Sequence, residues 1–105
     1  MAQMIHADTS ALSMQVSHAL RREQASFGAK VRVARAVLDL SQDEFARRVG
    51  LTQKSVHRIE QGIVEPKLRT MLAIERCWID QGIAFEDLQD GGFRLVVEGP
   101  MLPQG

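Results

Sequence analysis

Apolar positions follow helical spacing along most of this 105-residue chain and change to alternation only near its end. The clearest stretch is Gln42 to Gln61, QDEFARRVGLTQKSVHRIEQ. Read with a period of about 3.6, it gives two short helices and one break at Gly50-Leu51. The first helix starts after Ser41 and the second after Thr52, ending near Gly62. Ser41 can accept from first-turn N–H groups while Glu44, three residues on, reaches back, which makes a capping box. Leu40 and Phe45 have hydrophobic-staple spacing around that cap, and Leu51 and Val56 repeat it around Thr52. Phe45, Val49, Leu51, Val56 and Ile59 fall where two crossing helices must touch, and Ala46 is small at the closest approach. Gly50 stands at the turn, where a positive φ is needed. Two capped helices joined by a tight Gly-containing turn describe a helix-turn-helix. The residues left facing out of its second helix are Gln53, Lys54, His57, Arg58 and Gln61, a donor-rich set with no acid in it.

Elsewhere the pattern is plainer. Residues 1–10 carry no strong periodicity and read as a mobile start. Ser10 to Gln24 predicts a helix with a narrow apolar stripe of Leu12, Val16, Ala19 and Leu20. Three roles stay open for it: packing on its own domain, packing on a second subunit, or reaching DNA through Arg21 and Arg22. Ala29 to Leu38, starting as early as Ser26, predicts the first helix of the central domain, with Val31, Ala34 and Leu38 on one face. Gly62 reads as a C′ residue. Pro66 opens a helix over Lys67 to Gln81 that carries Leu68, Met71, Leu72, Cys77, Trp78 and Ile79, with Gly82 as its stop. Cys77 and Trp78 read as core or interface. Ile83-Ala84-Phe85 and Phe93 to Val97 are strand-like runs flanking Gln89-Asp90-Gly91-Gly92, a good turn. They form either a hairpin or an edge strand that pairs with its twin across a twofold axis, because a lone ribbon is marginal. Gly99 to Gly105, with Pro100 and Pro103, reads as loose. The expected organisation is an N-terminal extension over 1–25, a helix-turn-helix domain over 26–82 and a β-like segment with tail over 83–105.

Composition narrows the classes. The length suits one domain with a modest core. The single cysteine, Cys77, excludes an intramolecular disulfide and a cysteine-rich zinc site. No apolar run approaches the ~18 residues of a membrane span and no signal peptide is visible, so a cytoplasmic protein is expected. The formal net charge of zero does not advertise nucleic-acid binding, but its distribution does. Residues 21–76 hold 12 Lys/Arg against 7 Asp/Glu, while residues 77–105 hold one Arg against five acids. A basic middle and an acidic tail suit a DNA-facing core whose far end points away from phosphate. His6, His18 and His57 have no metal-ligand spacing with each other or with Cys77. There is no Gly-rich phosphate loop or nucleophile elbow, and Asp43 and Glu44 are a helix start that complements the dipole. No metal, cofactor or enzyme activity is expected.

The lead-in LDLSQDEFA, the segment LTQKSVHRIEQG and the Pro66-initiated helix resemble the helix-turn-helix of the phage repressor and Cro (XRE-type) family of DNA-binding proteins. The resemblance covers about Ala29 to Ile79, half the chain. It implies a mainly α fold: a repressor-like bundle of about five helices with a short C-terminal strand or hairpin. The GIxFE…GG-FRLV ending also looks like that of many small XRE-type regulators. The resemblance implies that Arg35 pairs with Glu60, locking two helices in register, and that Gln42 and Thr52 bind phosphate, with Gln42 also bracing Gln53. Asp39 stands where many relatives have Gly, which predicts slight strain at that turn.

Groove geometry then assigns roles. The N-terminal part of the second helix enters the major groove. Gln53 and Lys54 meet base edges first, since Gln fits adenine and Lys fits guanine O6/N7. Arg58, one turn on, reaches another guanine or a phosphate. Ser55 is a base contact or a phosphate ligand, and His57 is either a base contact or a solvent-facing imidazole. Gln61, Lys67 and Arg69 complete a phosphate clamp, helped by backbone N–H groups at the helix start. One domain covers one half-site, so a homodimer on a pseudo-palindromic operator is expected, with half-sites about 34 Å apart. The leading reading is a sequence-specific transcriptional repressor binding double-stranded DNA. The alternatives are an antitoxin that autoregulates through the same motif and binds a toxin partner, and a protein-interaction module without specific DNA binding.

Overall fold

A computed structural model of the chain describes residues 2–99, with side chains from Ser10 onward. Four helices are followed by a hairpin: α1 (Ala2–Val37), α2 (Gln42–Val49), α3 (Gln53–Glu60), α4 (Leu68–Asp80), β1 (Ile83–Asp87) and β2 (Phe93–Val97). This is a mainly helical helix-turn-helix bundle with a C-terminal hairpin, as expected. The residues of the expected loose tail beyond Gly99 lie outside the described residues.

The two helices expected before the motif are one. Nothing between Gln24 and Ala29 stops a helix: there is no proline, and a single interior glycine costs only about 1 kcal/mol relative to alanine. The expected irregular start is helical backbone from Ala2 as well. At 36 residues α1 spans about 54 Å, which explains molecular extents of 68 × 30 × 19 Å.

Only the second half of α1 enters the core. Phe27, Val31 and Ala34 are buried with Leu40, Phe45, Ala46, Val56, Ile59, Ile74, Trp78 and Ile83. The apolar stripe of the first half is left in solvent: Leu12, Val16 and Leu20 are 58%, 56% and 41% exposed. On α4, Ile74 and Trp78 face inward while Leu68, Leu72 and Ile79 face solvent. Cys77 is half-buried, and that burial pushes its thiol pKa up. Asp39 ends the turn after α1 with φ at 56°, a left-handed conformation in a non-glycine residue.

β1 and β2 pair antiparallel with Ile83 opposite Val97 and Phe85 opposite Leu95. Arg94 meets Glu86 across the strands at 3.2 Å. The ribbon does not stand alone. Trp78, Phe85 and Phe93 stack edge to face with centroids 5.1 and 5.3 Å apart, and Phe27 continues the row at 5.9 Å from Trp78. Lys30 of α1 holds Asp87 at 2.6 Å and lies over the Phe93 ring.

Candidate nucleic-acid interface

Local chemistry sets the two motif helices before they pack. Ser41 Oγ accepts from the Glu44 N–H at 3.0 Å and Glu44 Oε1 accepts from the Ser41 N–H at 3.1 Å, the reciprocal capping box. The Ser41 backbone N–H, and then its hydroxyl, hold the Glu44 carboxyl below the usual carboxylate range. Gly50 ends α2 with φ at 76°, a conformation any side chain would strain. Thr52 Oγ1 accepts from the Ser55 N–H at 3.1 Å, and its hydroxyl donates to Ser55 Oγ at 2.9 Å. Thr52 and Ser55 are thus joined at the leading edge of α3.

α3 buries Val56, Ile59 and Glu60 and exposes Gln53, Lys54, His57 and Arg58, with Gln61 exposed at its C-cap. The one acid on this helix is 5% exposed. Arg35 Nε donates to Glu60 Oε2 at 2.9 Å and Arg35 Nη2 donates to Glu60 Oε1 at 3.1 Å, a two-pronged pair between α1 and α3. Arg35 Nη1 also donates to the Leu40 carbonyl at 3.0 Å, tying in the chain that leads to α2. The hydrogen bond to Glu60 raises the Arg35 pKa further. The outward face of α3 therefore carries cationic and amide donors with no exposed carboxylate.

Gln42, the first residue of α2, stands between that pair and the outward face of α3. Its Nε2 donates to Glu60 Oε1 at 3.1 Å and lies 3.4 Å from His57 Nδ1. Its Oε1 accepts from Gln53 Nε2 at 2.7 Å. Sequence reasoning joined Gln42 to Gln53 and Arg35 to Glu60 as separate pairs, but not to one another. The missing signal was the i to i+18 approach of Gln42 to Glu60, which depends on the crossing of α2 and α3. The contact with His57 was missed for the same reason.

Lys67 and Arg69 are exposed at the start of α4, whose N-cap, Lys67, makes no side-chain cap bond. The first N–H groups of α4 are left with a lysine and an arginine beside them, an arrangement that attracts anions. Arg47, exposed on α2, is paired with Asp43 at 2.9 Å. Arg21 and Arg22 are exposed on the protruding half of α1. Among the described residues, no group of His, Cys, Asp and Glu could hold a metal ion and no helix is long and apolar enough to cross a membrane.

The close approach of α1 to α3 has its own signature. A Cβ on Gly28 would lie 2.4 Å from the Ile59 carbonyl oxygen and 2.8 Å from that of Glu60. Sequence reading passed over this glycine, because nothing local marks it as a crossing point.

Residues 31–77, from the last two turns of α1 through most of α4, match the family model described as helix-turn-helix. No curated protein matches the chain.

Proposed function

With residues 31–77 belonging to the XRE-type helix-turn-helix family of DNA-binding transcription regulators, we propose that this protein binds a specific duplex site as a homodimer and acts as a repressor by occupying it. The observation that carries the proposal is the outer face of α3, donor-rich and free of exposed carboxylate because Arg35 takes up Glu60 in the interior.

In this reading α3 lies in the major groove. Gln53 and Lys54 read base edges, with Arg58 one turn on. Ser55 and His57 flank them. Thr52, Gln61, Lys67 and Arg69 hold phosphates and set the register, which carries affinity but no sequence information. Gln42 turns its –NH2 to Glu60 and His57 and serves as the brace for Gln53. Leu12, Val16 and Leu20, spaced by one helical turn and exposed, supply the seam between two copies. A twofold pair of domains fits a pseudo-palindrome with half-sites about 34 Å apart.

Selection of bound DNA from a random duplex pool at two salt concentrations tests the proposal. An enriched inverted repeat is expected, with overall affinity falling steeply as salt rises. Salt-sensitive binding with no enriched sequence would sink it.

A further inference from the structure

Four side chains form a continuous hydrogen-bonded line from the interior to the recognition face. Arg35 donates twice to Glu60, Gln42 donates to Glu60, and Gln53 donates to Gln42. The order of donors along this line is fixed at its buried end. Ionised Glu60 can only accept, and its side chain is 3% exposed, so no water relay replaces the contact. Gln42 must therefore turn its –NH2 toward Glu60. That leaves the Gln42 carbonyl facing Gln53, and an oxygen there demands the –NH2 of Gln53. One N–H of Gln53 is spent on this bond. What Gln53 has left to present is its Oε1 and a single N–H.

We propose that Glu60 is a positioning residue for base choice: acting through Gln42, it fixes the amide of Gln53 so that an acceptor and one donor face the groove, a pattern that fits adenine and rejects guanine. The proposal deepens the DNA-binding reading above and rests on it. Adenine offers N6–H2 as donor and N7 as acceptor, which meets Oε1 and N–H in turn. Guanine offers two acceptors, O6 and N7, and would set O6 against Oε1. An unbraced glutamine can turn its –NH2 toward guanine. A braced one cannot do so without breaking the 2.7 Å bond to Gln42. Glu60 never touches DNA in this arrangement, yet it selects a base.

The test compares selected duplex pools for the wild type, Gln42→Met and Glu60→Gln. Gln42→Met keeps the length of the side chain and the Arg35–Glu60 pair but cuts the line. The wild type is expected to prefer adenine over guanine at one position per half-site by roughly 5- to 150-fold. In Gln42→Met that ratio falls to within about twofold, while preferences at the positions read by Lys54 and Arg58 stay. Glu60→Gln gives the same local loss, and combining it with Gln42→Met adds nothing at that position. Glu60→Asp, which retains a charge for Arg35 but withdraws it from Gln42, is the second variant should Glu60→Gln melt too low. An unchanged adenine preference in Gln42→Met overturns the proposal, as does an equal weakening on all sequences, which would make Gln42 a phosphate ligand only. A wild-type pool enriched at other positions but not for adenine overturns the relay alone. A wild-type pool with no enrichment removes the DNA reading and the relay together.

Discussion

Gly28 of α1 lies directly beneath the Ile59 carbonyl of α3, so close that a methyl group there would stand 2.4 Å from the oxygen. Alanine in a helix interior ordinarily gains about 1 kcal/mol over glycine. Here the obstacle is backbone, which cannot rotate away, and forcing the helices apart costs about 1–3 kcal/mol by the usual measure of overpacking. Gly28→Ala is expected to lower the melting temperature by about 5–10 °C, contrary to its helix propensity. A thermal melt showing an unchanged or higher midpoint would mean that α1 and α3 can separate freely.

The Arg35–Glu60 pair is unequal in its exposure, and the two halves should differ when deleted. Glu60 is 3% exposed at its side chain and Arg35 24%. Arg35→Ala strands a buried carboxylate with only Gln42 to satisfy it, at a cost of about 3–5 kcal/mol. Glu60→Ala strands a guanidinium that water can reach and that keeps its bond to the Leu40 carbonyl, so about 2 kcal/mol is expected. Urea unfolding of the two variants checks the order. Equal losses would show that the pair acts as a unit regardless of burial.

The capping box links stability to acid. The Glu44 pKa is depressed in the folded state by the backbone N–H and hydroxyl of Ser41. Its contribution is therefore present above the unfolded carboxylate value of about 4.3 and is lost as pH falls through the lower folded value. Glu44→Gln should shrink the difference in melting temperature between pH 7 and pH 3, and Ser41→Ala should cost about 1 kcal/mol at neutral pH. A Glu44→Gln protein with the wild-type pH dependence would assign the acid limb to other carboxylates.

Val16 sits in the middle of the exposed stripe of α1 between Leu12 and Leu20. Placed at a seam between two copies, a charge there meets apolar surface on both sides. Val16→Asp is expected to convert a dimer to a monomer in sedimentation at micromolar concentration, with the melting of the isolated domain little changed. A dimer that survives the substitution would move the seam elsewhere, to the outer edge of the hairpin first.

The parts of this molecule that were legible in the sequence are those whose cause is local. Ser41, Glu44, Gly50 and Thr52 announce their caps and turn within four residues, and the Gln89–Gly92 turn announces the hairpin. The order of helices follows from apolar spacing in the same way. What escaped reading is set by crossings. Continuous α1 reads as two helices because its first apolar stripe closes at Arg21, Arg22 and Glu23, whereas the backbone runs on through them into the core at Phe27. Gly28 looks like any weak helix former until α3 lies across it. Gln42 reaches Glu60 only because α2 and α3 cross, so a relay made of familiar pairs could not be assembled from spacing alone. The contacts proposed for Lys54, Arg58, Lys67 and Arg69 depend on a partner outside the chain.

Because α1 runs unbroken from Ala2 into the core at Phe27, the protruding half and the helix-turn-helix domain are two ends of one continuous shaft. Such a shaft transmits rotation. Each residue added to or removed from it between Arg22 and Phe27 turns the outer stripe by about 100° and shifts it by about 1.5 Å. A one-residue insertion would thus swing Leu12, Val16 and Leu20 to another side of the molecule, while seven residues would restore their azimuth to within about 20°. Length change in this segment acts as a change of phase, so the facing of one domain toward another is written in a residue count.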